Sequence, residues 1–531
     1  MKNLFKKVSA ILMAAIMVLS MCATVFAAIP SEGDTADAVV HNVEAGATVN
    51  AYQITKAKYD PNGKGFLGYE AVEGVTLANV LAPTSDEVAA IVKNKLASLP
   101  TETMTAAGTE GLVDYTANLA PGYWIVIVSG TVNEVYNPML LGVAYSESGT
   151  DNKMTADPVD ANGNWGEAYA KSTAPSIDKK ITGSTTADGK ATTDTNPNEK
   201  GNDVAIGDIV NYEITTHIPS YSKQYSEVIV NISDTLSKGL TLNKDSILIN
   251  GKAVDATMGT LTTSDRGFEF VINSNYALAH GNEEITVTYS ATVNDDVEKN
   301  FDPNTNTAKL VYSNNPLDKD ITKETESKTY TYTFSIGAAL SASIQNYNKK
   351  VNQIIKVDAD GKVISTETSE SGLDKDKVIE VKEGAKFTLT NTKTGKSYTA
   401  TTGADGGLTF ENLDAGEYTL VETKAPSGFA LSNKEIPVVI AATYTEKGEL
   451  DTLTITIDGR RTSTYKANYT AEGKVNTITN TTEVTDVVNT KLGTLPSTGG
   501  MGTYLFTIIG VVVMAGAAGA FFMSRRKGSE E

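Results

Sequence analysis

Over most of its length the chain alternates apolar and polar residues with the period of two that a β-strand imposes on its side chains. Val210, Tyr212 and Ile214 enclose polar Asn211 and Glu213, and Ile285, Val287, Tyr289, Ala291 and Val293 form a longer run of the same kind. Thr, Val, Ile and Tyr fill these segments while Gly, Asn and Asp gather between them, which predicts half-buried strands joined by turns. Helical spacing marks Ser85 to Ala97, where Val88, Ile91, Val92 and Leu96 fall on one side. The stretch Gly183 to Asn202 is rich in Thr, Asp, Gly and Asn and nearly free of apolar residues, so a long exposed hairpin or loop is expected. Gly, Ala, Ser and Pro interrupt the strand pattern at Lys171 to Pro175 and at Ser335 to Asn346. With 531 residues, too many for one core, the pattern predicts an all-β protein of tandem β-sandwiches.

The two ends depart from this pattern. Lys2, Lys6 and Lys7 precede an almost wholly apolar stretch, Val8 to Met21, and Val25-Phe26-Ala27 supplies the small residues of a cleavage site. Residues 1–27 are therefore expected to direct export through the Sec route. Tyr504 to Met523 is a run of 20 residues without a charge, long enough as a helix to cross a bilayer, and Arg525, Arg526 and Lys527 follow. A basic flank stays cytoplasmic, so everything before residue 504 is expected to face outward.

Composition narrows the chemistry. The single cysteine, Cys22, falls in the segment expected to be removed, so the mature chain has no thiol and cannot use a disulfide as its staple. The formal net charge is −19; without the two ends, 39 Lys and Arg face 62 Asp and Glu, a balance of −23 that repels nucleic acid and anionic membrane. His41, His217 and His280 are scattered, with no metal-ligand spacing, so neither a metal nor a cofactor is expected.

Leu495-Pro496-Ser497-Thr498-Gly499, followed by the apolar run and the basic tail, resembles the sorting signal of Gram-positive sortase substrates. The resemblance implies that a sortase cysteine attacks the Thr498 carbonyl and releases Gly499 onward, within a sorting segment 495–531.

Gly416-Glu417-Tyr418-Thr419-Leu420-Val421-Glu422-Thr423-Lys424-Ala425-Pro426-Ser427-Gly428-Phe429 resembles the E-box of Gram-positive pilins, with Phe429 in place of Tyr. Tyr418, Leu420 and Glu422 share one strand face, so the Glu422 carboxyl points into an apolar core, where an unpaired carboxylate is costly and the acid form is favoured. In that family the acid polarises an Asn carboxamide while a neutral buried Lys attacks it; ammonia leaves and an isopeptide bond remains. Ile355-Lys356-Val357-Asp358 resembles the first strand of a collagen-adhesin type B domain, which makes Lys356 the amine, with Lys349 and Lys350 nearby. Asn489, in Val487-Val488-Asn489-Thr490, is the expected acceptor, and Asn480 the alternative.

The preceding block resembles the type A domain of the same family. Ile177, Lys179 and Ile181 share a face, which makes Lys179 the inward amine, whereas Lys180 points away. Ala308, Leu310, Tyr312 and Asn314 share another face, which favours Asn314 over Asn315 as acceptor. Asp234 ends the alternation Val228, Val230, Ile232, and Asp234-Thr235-Leu236-Ser237-Lys238-Gly239-Leu240 resembles a recurrent pilin segment; Asp234 is the expected acid, with Glu283 or Glu284 as alternatives.

Related backbone pilins carry a Trp followed by Val-Tyr-Pro-Lys near the end of the first domain, whose lysine accepts the preceding subunit. Trp165-Gly166-Glu167-Ala168-Tyr169-Ala170-Lys171-Ser172 resembles it in part, with Ala170 for Pro and a shorter spacing, and places Lys171 in that role. Val49-Asn50-Ala51-Tyr52-Gln53-Ile54-Thr55 and Pro121-Gly122-Tyr123-Trp124 are reminiscent of pilin N-terminal domains, but no E-box occurs there.

The resemblance implies immunoglobulin-like domains over residues 28–172, 173–336 and 337–494 in an elongated rod, and a structural pilus backbone with no enzyme activity beyond its own cross-linking. Its expected partners are sortase, identical subunits, accessory pilins, peptidoglycan and host surface ligands; its expected place is the cell wall. A wall-anchored monomeric adhesin or a minor pilin shares these features except a working Lys171. A secreted hydrolase is disfavoured, since neither a cysteine nor a metal motif is left for catalysis.

Overall fold

The computed structural model describes residues 30–62, 65–148, 153–155, 166–192, 199–338, 354–358, 382–481 and 485–489, with positions 511 and 514. Residues 1–27, Lys349, Lys350, and the motif residues Leu495, Pro496, Thr498 and Gly499 lie outside them, as does the apolar run apart from those two positions.

The first block is a seven-stranded sheet in the order Glu167–Tyr169, Ala36–Glu44, Leu112–Leu119, Thr101–Ala106, Ala47–Gln53, Gly122–Gly130, Met139–Val143. Gly122–Gly130 reads as a continuous apolar run because both of its faces are covered. Trp124, Val126 and Val128 join one cluster, and Tyr123, Ile125 and Ile127 join Val88, Ile91, Val92 and Leu96 in another. The helix spans Ser85–Asn94, opened by a capping box of Thr84 and Glu87, and a 3₁₀ turn at Leu96–Ser98 follows.

The second block is a sandwich. One sheet runs Ile177–Thr185, Ile209–His217, Glu284–Val293, Leu240–Leu242, with Leu248–Ile249 also on Glu284–Val293. The other runs Gly201–Asp203, Thr322–Tyr332, Asn304–Ser313, Val230–Leu236, Gly267–Ile272, Gly259–Ser264. The alternating residues of both sheets meet between them: Val210, Tyr212, Ile214, Val287 and Tyr289 pack against Val230, Ile232, Phe270 and Leu310.

The third block has a seven-stranded sheet, Ser397–Thr401, Lys386–Asn391, Gly416–Lys424, Glu435–Tyr444, Leu450–Ile457, Arg461–Tyr469, Val475–Thr481. It also has a three-stranded one, Gly407–Leu408, Ile354–Asp358, Thr485–Asn489, whose last pair is parallel.

Two expectations are refined here. The stretch expected to be a long exposed hairpin or loop begins as a hairpin, since the strand from Ile177 runs on to Thr185, Thr185 bridges Ala191 and residues 187–191 are exposed at the tip; at its base Ser184 and Thr192 are buried against each other. The loop's polar groups find partners across the block boundary: Lys393 Nζ donates to the Thr192 carbonyl at 2.7 Å. The joint expected from Ser335 begins as a strand, Phe334–Ile336, paired with Phe410–Leu413. Tyr332, Phe334 and Ile336 belong to the third block's core, and Ser335 is buried there because Asn300 supplies both a donor, at 2.7 Å, and an acceptor, at 2.9 Å.

Candidate cross-linking sites

Lys356 and Asn489 come from neighbouring parallel strands, with Lys356 opposite Val487 and Asp358 opposite Asn489. Glu422 ends the inward alternation Tyr418, Leu420, Glu422 of the facing sheet. All three side chains are buried, Lys356 completely. Asn489 Nδ2 donates to both Glu422 oxygens, at 3.0 and 2.7 Å, and the Ser432 amide donates to Oε2 at 2.9 Å. Lys356 Nζ donates to the Val487 carbonyl at 2.7 Å, within the segment that carries Asn489. Burial pulls the Lys356 amine down to about 8, against the attraction of Glu422, so a neutral nucleophile is accessible near neutrality. Asn489 Oδ1 is buried without a hydrogen-bond partner among the described residues. Half a turn of the carboxamide would set that oxygen against Glu422, the arrangement in which the acid form polarises the carbonyl. The alternative acceptor, Asn480, lies half-buried on the Val475–Thr481 strand, opposite Tyr465.

Among the described residues, Lys179 of the second block is the other fully buried lysine. Lys179 Nζ donates to Asp234 Oδ2 at 2.5 Å and to the Tyr289 hydroxyl, and lies 4.8 Å from the ring centres of both Tyr212 and Tyr289. Burial draws the amine down to about 8 and raises Asp234, so the pair is drawn toward sharing its proton in neutral form. Glu283 and Glu284 stand elsewhere: Glu283 accepts from Tyr276, and Glu284 is 60% exposed beside His217.

The carboxamide brought to this site is Asn306, not Asn314. Strand register pairs Asp234 with Ala308 and Leu236 with Asn306, so Asn306 lies diagonally beside the acid on the inward face. Its Nδ2 donates to the Tyr289 hydroxyl at 2.9 Å, and its Oδ1 is buried without a partner among the described residues. Asn314 shares the face expected of it but lies eight residues further on, about 27 Å along an extended strand. There its Nδ2 donates to the Val132 carbonyl of the first block at 2.7 Å. The alternation gave both asparagines the same face; only the register tells them apart. Asn304, on that face too, has its amide taken by Glu298 and Thr331. A buried Asn within an alternating run was the available signal for Asn306, whereas Tyr289 read simply as core.

Lys171 is exposed, between the strands Glu167–Tyr169 and Ser172–Thr173, and its carbonyl accepts from the Asn137 amide at 3.1 Å.

Known family models match along the chain: a T6 antigen Ig-like domain over residues 33–172, a Gram-positive pilin backbone subunit 2 Cna-B-like domain over 206–316, a prealbumin-like fold domain over 374–455, and an LPXTG cell wall anchor motif over 487–530. The class these define is a wall-anchored surface protein of tandem β-sandwiches. The trypsin-resistant surface T6 protein of Streptococcus pyogenes serotype M6 is 30% identical over 550 residues, covering 94% of this chain and 96% of the relative. The T6 backbone pilin of the same serotype, described as a modular three-domain structure, is similar in fold, with a TM-score of 0.59 at 24% identity, covering 87% of this chain and all of that one. The chain belongs to the Gram-positive backbone pilins. Such pilins are structural, LPXTG-anchored cell-wall proteins that sortase joins to identical subunits, and this is one of them.

Proposed function

We propose that this subunit is stapled twice from within and joined to its neighbours by the same kind of bond. The internal bonds run from Lys179 to Asn306 with Asp234 as the acid, and from Lys356 to Asn489 with Glu422 as the acid. In each, the amine nitrogen bonds to the carboxamide carbon, the carboxamide C–N bond breaks, and ammonia leaves. The three domains expected over residues 28–172, 173–336 and 337–494 form the shaft, the third taking in the Phe334–Ile336 strand as well. Sortase cleaves after Thr498 and passes its carbonyl to Lys171 of the next subunit, and the last subunit is passed to peptidoglycan. Accessory pilins and host surface ligands complete the set of partners, and the acidic surface keeps nucleic acid away.

The observation that carries this reading is the burial of both lysines, each sharing its pocket with a buried carboxyl and a buried carboxamide. A buried, unneutralised charge is so costly that such a set is hard to account for as packing alone. For the intersubunit bond, the exposure of Lys171 beside the first block supports its role. Co-expression with a pilus sortase tests it: Lys171→Ala should give wall-anchored monomer in place of a ladder of covalent multimers. A persisting ladder assigns the role to another lysine.

A further inference from the structure

The two sites differ in what touches the carboxamide. In the third block the acid does so directly, through both Glu422 oxygens. In the second block Asp234 holds the amine, and the group against Asn306 Nδ2 is the Tyr289 hydroxyl. We propose that Tyr289 is a catalytic residue of the second block's cross-linking, carrying the proton released by the Lys179 amine to the departing nitrogen of Asn306. This rests on the Lys179–Asn306 reading above.

Tyr289 Oη is one hydrogen bond from each nitrogen whose bonding changes: Lys179 Nζ donates to it, and so does Asn306 Nδ2, at 2.9 Å. Lys179 Nζ, which donates both to Asp234 Oδ2 at 2.5 Å and to the hydroxyl, links Tyr289 to the group that takes the first proton from the amine. Its position is fixed by the fold. Tyr289 lies opposite Tyr212 in the strand pair and stacks on it with ring centres 5.2 Å apart, while Phe268 meets it edge-on at 5.2 Å. Lys179 and Tyr289 come from one sheet, Asp234 and Asn306 from the other, so closing the sandwich assembles the reacting set.

The steps balance. Asp234 takes a proton from the Lys179 ammonium, leaving a neutral amine and a carboxylic acid. The Nζ lone pair then forms a bond to Asn306 Cγ. As that nitrogen becomes an amide it gives up a proton to Tyr289 Oη, which passes its own proton to Nδ2. The Cγ–Nδ2 bond breaks, ammonia leaves, and Tyr289 ends as it began, a phenol. Burial keeps Tyr289 in the phenol form throughout, so the hydroxyl shuttles a proton without ionising.

Tyr289→Phe keeps the ring and removes the hydroxyl that Lys179 and Asn306 both donate to. In the full chain produced without sortase, the wild type should be lighter by two ammonias and Tyr289→Phe by one, with Lys356–Asn489 retained and the Lys179–Asn306 bond formed at least 10-fold more slowly. Tyr276→Phe, which removes a hydroxyl of the same block that donates to Glu283 away from the site, should form both bonds at the wild-type rate. Asn306→Ala, which cannot form the bond, gives the reference for an uncross-linked fold. Tyr289→Phe matching its trypsin resistance shows that chemistry was lost, whereas clearly lower resistance makes Tyr289 structural and overturns the proposal. Formation of the bond in Tyr289→Phe at the wild-type rate also overturns it. If the wild type itself lacks the Lys179–Asn306 bond, the parent reading fails and this inference with it, an outcome told apart because no substitution is involved.

Discussion

Asn306 in the Asn304–Ser313 strand and Asn314 just past its end are both buried on the inward side, and their carboxamides meet different worlds: Asn306 Nδ2 donates to Tyr289 beside the buried Lys179, and Asn314 Nδ2 donates to the Val132 carbonyl of the first block. One is placed for chemistry and the other for holding two blocks together. Tyr312 strengthens the second role by donating to the Asn133 carbonyl at 2.6 Å, as does Tyr225 by donating to the Tyr136 carbonyl at 2.8 Å.

Asn306→Ala should therefore leave the second block without its cross-link, raising the mass by one retained ammonia after the side-chain difference is subtracted. Asn314→Ala should keep both bonds. Limited proteolysis should instead show faster cutting of Asn314→Ala near residues 171–176, where the first block meets the second.

Loss of either bond should cost stability chiefly through the unfolded chain. Each closes a loop of about 130 residues, for which a disulfide of that span gives about 4 to 5 kcal/mol. Glu422→Ala, which leaves Lys356 and Asn489 in place but without their acid, should lower the melting temperature of the third block by ~10 °C or more. Calorimetry measures this, and an unchanged transition with the bond absent would contradict the staple's role.

Stability of the uncross-linked third block should depend on pH in a defined window. In Asn489→Ala, Lys356 keeps a free amine held at about 8 in the fold and at 10.5 when unfolded. Below pH 8 the amine is charged in both states and the full burial penalty applies. Between pH 8 and 10.5 the unfolded chain binds more protons, so stability rises with pH. With Lys356 joined to Asn489, as we propose, the wild type lacks this contribution. Thermal melts from pH 7 to 10 should show the gap between the two proteins narrowing as pH rises.

The joint between the second and third blocks depends on a close backbone approach. A Cβ at Gly201 would stand 2.1 Å from the Gly448 carbonyl oxygen, a distance no side chain can take. Around it Ala415 N and Tyr444 Oη both donate to buried Asp203, at 2.6 and 2.5 Å, and Lys396 Nζ donates to the Ile206 carbonyl at 2.5 Å. Gly201→Val should force this joint open without touching either cross-link. Small-angle scattering should then report a broader distribution of shapes, with the mass unchanged apart from the substitution.

Strand identity and facing were legible because alternation is a local property: Val210, Tyr212, Ile214, Ile285, Val287 and Tyr289 all turn inward as their spacing implies. The acid in the E-box and the two inward lysines were legible for the same reason, since each stands where an apolar residue is expected. Asn306 was not, because choosing between Asn306 and Asn314 requires knowing that Ala308 pairs with Asp234, and register is set by partners distant in sequence. Tyr289 was hidden differently. An aromatic residue on an inward face is ordinary packing until its hydroxyl is found between an amine and an amide. In 183–202 the exposed hairpin was legible from composition but its base was not, since Ser184 and Thr192 are polar yet buried, and the Thr192 carbonyl accepts from Lys393 of the next block.

The most direct measurement is the intact mass of the chain produced without sortase, followed by tandem mass spectrometry of its tryptic peptides. The account predicts a mass lower by two ammonias, with Lys179 joined to Asn306 and Lys356 joined to Asn489. An unmodified mass, a loss of water with Lys179 joined to Asp234, or a bond mapped to Asn314 would contradict it.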